Sequence, residues 1–85
     1  MAGYRIFFKK SVQKDLDHVP GKDLRRILQR IEGLAEEPRP KGCENLTGQE
    51  RYRLRQGRYR IVYSIQDDAL TVWVVKVGHR KEVYR

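Results

Sequence analysis

Five arginines, Arg51, Arg53, Arg55, Arg58 and Arg60, stand within ten residues that hold no acid. Arg53 and Arg55 are two apart, so on an extended strand both project from one face, about 7 Å apart along it. Arg60 follows the Gln56-Gly57 turn and can reach that face from the neighbouring strand. The segment Gly78-His79-Arg80-Lys81-Glu82-Val83-Tyr84-Arg85 can fold over the same edge. Such a set suits phosphodiester chemistry without a metal. Charge builds on the phosphate oxygens in the transition state, and each fixed guanidinium aimed there is worth about 3–4 kcal/mol. RNA carries its own nucleophile in the 2′-hydroxyl, so the protein need only orient, remove one proton and donate another. His79 has the natural pKa for one of those transfers. Tyr84 can stack on a base or place its hydroxyl near phosphate.

Other chemistries fit less well. His18 and His79 do not sit at metal-ligand spacing with a second His or Cys, and Cys43 is the single cysteine. Asp67-Asp68 reads as a turn former. The sequence has no GxxxxGK phosphate loop and no paired carboxylates in its strand region. Neither a metal nor a cofactor is expected.

The formal charge is +8, and residues 51–85 hold +6 of it. Like charge at that density repels itself unless a polyanion or an acidic partner neutralises it. Nucleic acid is the commonest polyanion, and Arg matches phosphate bidentately. Arg51, Arg58, Lys76, Lys81 and Arg85 are therefore read as RNA-binding. A solvated, merely solubilising face is the plainer alternative. Taken alone, composition and spacing give a small basic RNA- or DNA-binding domain.

These groups need a frame. Eighty-five residues make one domain, 1–85, with a thin core, since a chain this short buries only about 60–65% of its unfolded surface. Without an apolar run of membrane length or a signal-peptide stretch, the expectation is a cytoplasmic protein that meets no membrane. Tyr4 to Phe8 reads as a strand. Ser11 is placed to cap a short helix with Val12, Leu16 and Val19 on one stripe. Pro20-Gly21 breaks it, and Leu24, Ile27, Leu28, Ile31 and Leu34 mark a second amphipathic helix, with Arg25, Arg26, Gln29 and Arg30 outside. Pro38 to about Gly48 reads as a loop. The period then falls to two: Tyr52 and Leu54 alternate with the arginines, and Tyr59, Ile61, Tyr63 and Ile65 form the apolar face of a second strand. A polar turn at 66–69 leads into an apolar third strand, Leu70 to Val77. The order β-α-α-β-β-β predicts an α+β fold, two helices packed on a small antiparallel sheet whose last three strands form a meander.

Leu46-Thr47-Gly48, Tyr52-Arg53-Leu54-Arg55, Gly57-Arg58-Tyr59-Arg60-Ile61-Val62-Tyr63 and Val77-Gly78-His79-Arg80-Lys81-Glu82-Val83-Tyr84 occur in that order. The ordered set resembles the RelE family of toxins, within the RelE/ParE superfamily. The resemblance implies a microbial-ribonuclease-type fold and a toxin of a type II toxin–antitoxin system. It further implies a ribosome-dependent endoribonuclease that cuts messenger RNA in the ribosomal A site without a metal. Attack by the 2′-hydroxyl would leave a 2′,3′-cyclic phosphate and a 5′-hydroxyl. By position, Arg53 and Arg55 match two basic residues that are usually lysines in such toxins. Arg60 matches the transition-state arginine, Arg80 the general acid and Tyr84 the tyrosine that stacks on the substrate base. Arginine stays protonated at physiological pH, so Arg53 and Arg55 are expected to act electrostatically, with His79 or Tyr84 taking the proton. The implied partners are the 70S ribosome with its messenger and a cognate antitoxin, acidic or amphipathic and partly disordered when free. Two alternatives remain: a ParE-like toxin that poisons gyrase by contact, and a basic nucleic-acid-binding module without catalysis.

Overall fold

The computed structural model describes residues 3–46 and 50–79. Strand β1 (Arg5–Phe8) leads into helices α1 (Lys10–Asp17) and α2 (Gly21–Gly33). Four strands follow: β2 (Glu44–Asn45), β3 (Arg51–Gln56), β4 (Tyr59–Gln66) and β5 (Thr71–His79). Among the described residues they form one sheet in the order β1-β5-β4-β3-β2. The fold is α+β, with two helices on one face of the sheet. Among the described residues, no helix is long and apolar enough to cross a membrane.

The meander from β3 to β5 runs as short connections dictate, with Leu54 opposite Ile61 and Ile61 opposite Val77. The sheet is nevertheless mixed rather than antiparallel. β1 lies parallel to β5, with Arg5 opposite Thr71 and Phe8 opposite Val74. The two helices carry the chain from β1 across the sheet to its far edge, so β5 arrives beside β1 only at the end. That makes β5 an interior strand, second from the edge beside β4 at the centre, consistent with fully buried Val72 and Val74.

Three local expectations also need correction. Helix α1 begins at Lys10 with Lys9 in the capping position and no side-chain cap bond, so Ser11 falls inside the first turn. The loop from Pro38 is interrupted by β2, which pairs Glu44 with Arg53. The last strand starts at Thr71, because Leu70 takes a left-handed backbone (φ 47°) within the preceding turn.

The core lies between the layers. Val12, Ile27 and Ile31 of the helices, with Val19 and Leu34 just beyond their ends, cluster with Leu54, Ile61, Tyr63, Val72, Val74 and Val77 of the sheet. Tyr63 is fully buried and its hydroxyl donates to the Pro38 carbonyl at 2.8 Å. Burial pushes that hydroxyl's pKa up. A surface clasp ties the same loop to the β4–β5 turn. Arg39 donates both terminal nitrogens to Asp67 (3.1 and 2.8 Å) and its Nε to the Tyr52 hydroxyl (3.1 Å). Tyr4 adds a bond from its hydroxyl to Asp67 Oδ1 at 2.7 Å. Together, Arg39 first and Tyr4 second, they hold the Asp67 carboxyl down at about 2.

Candidate functional site

Strand alternation sends Tyr52 and Leu54 toward the helices and Arg51, Arg53 and Arg55 to the uncovered face. On β4 the same alternation puts Ile61 and Tyr63 in the core and leaves Arg60, Val62 and Ser64 on the arginine side. The register then stacks the site in rungs. Arg51, Ser64 and Trp73 form one rung, Arg53, Val62 and Lys76 the next, and Arg55, Arg60 and Gly78 the third. Val62 is almost fully buried although no helix covers it, because long Arg and Lys stems stand on both sides in its rung.

Arg53, Arg55 and Arg60 converge on a cavity of about 420 Å³ whose other lining residues are Arg30, Gly42, Glu44 and Leu54. Arg60 is 4% exposed and donates to the Tyr59 carbonyl at 3.3 Å. Its guanidinium is thereby fixed rather than free to follow solvent, as a preorganised donor should be. Arg53 lies 2.6 Å from Oε2 of Glu44. Arg53 first, with Arg55 and Arg60 adding to it, holds the Glu44 carboxyl below the usual carboxylate range. Four guanidinium groups to one carboxylate give the pocket an excess of positive charge, which suits it to an anion.

Of the remaining basic positions, Arg51 and Lys76 are exposed on the same face, and Arg58 is exposed in the turn between β3 and β4. Arg80, Lys81, Tyr84 and Arg85 lie outside the described residues.

His79 corrects the expected grouping. It pairs with Tyr59, whose ring meets its own edge-on at 5.9 Å, and it shares a pocket with Lys14, Asp15, His18 and Val19. It therefore stands on the helix side of the sheet, across from the arginines. The physical reason is parity: Gly78 is the β5 residue level with Arg60, and the next residue must point the other way.

Two residues of the pocket were not anticipated as site residues. Arg30 reads from helical spacing as an outward, solvated arginine, but it lies half-buried on the last turn of α2 and reaches the cavity. Glu44 sits in what looks like a loop, where a strand of two residues leaves no period to detect. Two large apolar groups extend the open face toward β1, where Phe7 and Trp73 stack at 5.0 Å and are each about two-fifths exposed. Trp73 is thus not a core residue.

Helices on one face of a mixed sheet, with a row of strand arginines on the other, define the class of small toxins with which the chain compares. A family profile described as the ParE toxin of type II toxin-antitoxin systems, parDE, matches residues 6–84. Toxin RelG of Mycobacterium tuberculosis is 31% identical over 86 residues, covering 96% of this chain and 97% of RelG. The toxin–antitoxin complex RelBE2 of the same organism superposes with a TM-score of 0.82 at 27% identity, over 92% of this chain and 99% of that one. The archaeal RelE-RelB complex of Pyrococcus horikoshii gives a TM-score of 0.79 at 31% identity, over 92% and 96%. The chain belongs to the RelE family of type II toxin–antitoxin toxins, within the RelE/ParE superfamily.

Proposed function

We propose that this toxin is a ribosome-dependent endoribonuclease that cuts messenger RNA in the A site by attack of the 2′-hydroxyl on the adjacent phosphate. The observation that carries the reading is the convergence of Arg53, Arg55 and Arg60 from the strands with Arg30 from α2 on one pocket. Guanidinium groups there would stabilise the charge that develops on the phosphate oxygens, and the messenger would supply the nucleophile. Arg51, Arg58 and Lys76 would hold flanking phosphates. The ribosome would supply substrate geometry that so small a pocket cannot impose. A cognate antitoxin would neutralise the same face, in keeping with the RelB-bound structures of the similar toxins.

Primer extension on a defined messenger, with programmed 70S ribosomes and with naked RNA, tests the proposal. Cleavage within the A-site codon, only with ribosomes and without added metal, supports it. No cleavage in either tube by the folded protein refutes it. The matching profile's ParE description gives a second reading, a gyrase-directed toxin, which loss of supercoiling in a gyrase assay would support instead.

A further inference from the structure

The proposed reaction needs a proton acceptor, and the arginines cannot serve as one because they stay protonated throughout the working pH range. His79 lies on the other face of the sheet. Among the described residues, the group in the pocket able to accept a proton is Glu44. We infer that Glu44 is the general base of this toxin, an assignment that rests on the nuclease reading above.

The placement fits. Glu44 comes from β2, opposite Arg53 in register, and its side chain is 59% exposed at the mouth of the pocket, where a substrate hydroxyl can reach it. The charged groups around it are Arg53 and Arg55 from β3, Arg60 from β4 and Arg30 from α2, all cationic. Arg53 first, with Arg55 and Arg60 adding to it, holds the carboxyl below the usual carboxylate range, so it is ionised at neutral pH. The same cations weaken it as a base, since driving force falls with pKa. They offset that loss by stabilising the phosphorane that forms as the proton leaves. In the step, Glu44 takes the proton of the 2′-hydroxyl, and the 2′-oxygen bonds to the adjacent phosphorus. The bond from phosphorus to the 5′-oxygen breaks. That oxygen takes a proton from water, and the resulting hydroxide is neutralised by the proton on Glu44, which regenerates the carboxylate.

The test is single-turnover cleavage on programmed ribosomes, with wild type, Glu44→Gln and Glu44→His. Wild type should show a flat rate between pH 6 and 8. Glu44→Gln keeps the shape of the side chain but not its basicity, and should cut about 10²–10³-fold more slowly. It should still bind ribosomes carrying a messenger with a 2′-deoxy residue at the cleavage site, with affinity equal to or above that of wild type, because one negative charge has left an anion site. Glu44→His should regain part of the rate at high pH and lose it as pH falls through the imidazole range, a limb that a structural ion pair would not create. Wild-type cleavage with Glu44→Gln within about threefold of it would overturn the assignment and leave the nuclease reading standing. Loss in both variants without the new pH limb would also overturn it. A silent wild type would refute the nuclease reading and this assignment with it.

Discussion

Replacing Arg60 by methionine separates what this residue does for the reaction from what it does for the fold. Arg60 is nearly fully buried and stands directly opposite Arg55 on the same face of an antiparallel pair. Like charges so placed destabilise a sheet by roughly 0.2–1 kcal/mol. Burying the guanidinium adds a desolvation cost, and exchanging buried ionic groups for apolar ones of similar volume is often neutral or stabilising by about 1–4 kcal/mol. Against this stands one bond to the Tyr59 carbonyl, at 3.3 Å a long one, worth about 0.5–1.5 kcal/mol. Methionine keeps an apolar stem beside Val62. The balance favours the variant by about 1 kcal/mol, or roughly 4–8 °C in Tm for a domain of this size. Activity should move the other way. Loss of one preorganised donor costs about 10²–10³ in rate. A thermal melt followed by circular dichroism, paired with ribosomal cleavage, reads both. A variant that melts several degrees lower and still cuts would show that Arg60 is a structural arginine and that the pocket has been misread.

The remaining expectations can be checked with the same two assays and with urea unfolding. His79→Gln should leave cleavage at pH 6–8 within about threefold of wild type, because the residue faces away from the pocket; a hundredfold loss would mean that the proton path crosses the sheet. Asp67 has a lowered pKa, so its contribution to stability is fully present above about pH 4 and disappears as pH falls toward about 2. Asp67→Asn should accordingly melt below wild type at pH 7, and the two curves should converge in acid. Tyr63→Phe removes a buried bond to the Pro38 carbonyl and should cost about 0.5–1.5 kcal/mol by urea unfolding, with little effect on cleavage.

The parts legible in the sequence are those with a period. The 3.6-residue spacing of Leu24, Ile27 and Ile31 and the two-residue spacing of Arg51, Arg53 and Arg55 each name an element and its buried side, and the structure follows both. What stayed hidden depends on partners far apart in the chain. Phe7 and Trp73 meet only because β1 pairs with β5, and no local pattern encodes that contact. Arg39 looks like one more loop cation between two prolines, yet it grips the turn at Asp67. Glu44 enters the pocket through two residues of pairing with β3, too short a strand to announce itself. The side on which His79 stands is hidden for a different reason. Its position beyond an apolar run gives no parity until the register with Arg60 and Tyr59 is known, and the shift between Val62 and Tyr63 changes the count along β5.

The division of the sheet also bears on why a toxin of this kind needs a partner. Among the described residues its helix side is closed by a core of eleven buried residues, so the outward arginines of β3 and β4 have only the other face to occupy. There Arg55 opposes Arg60, and Arg53 lies within a rung of Lys76. Added acids would relieve that repulsion, but each acid would compete with phosphate for the same guanidinium groups, as Glu44 already does for Arg53. Relief that preserves the pocket must therefore come from outside the chain and be removable. A negatively charged antitoxin segment would meet that condition when bound, and under the proposed function the messenger's phosphates would meet it when the antitoxin has left. Phe7 and Trp73 sit at the end of the same face and would offer such a segment an apolar hold beside the charges. On this reading, the repulsion on the open face is what makes the site available to either of two anions and to neither permanently.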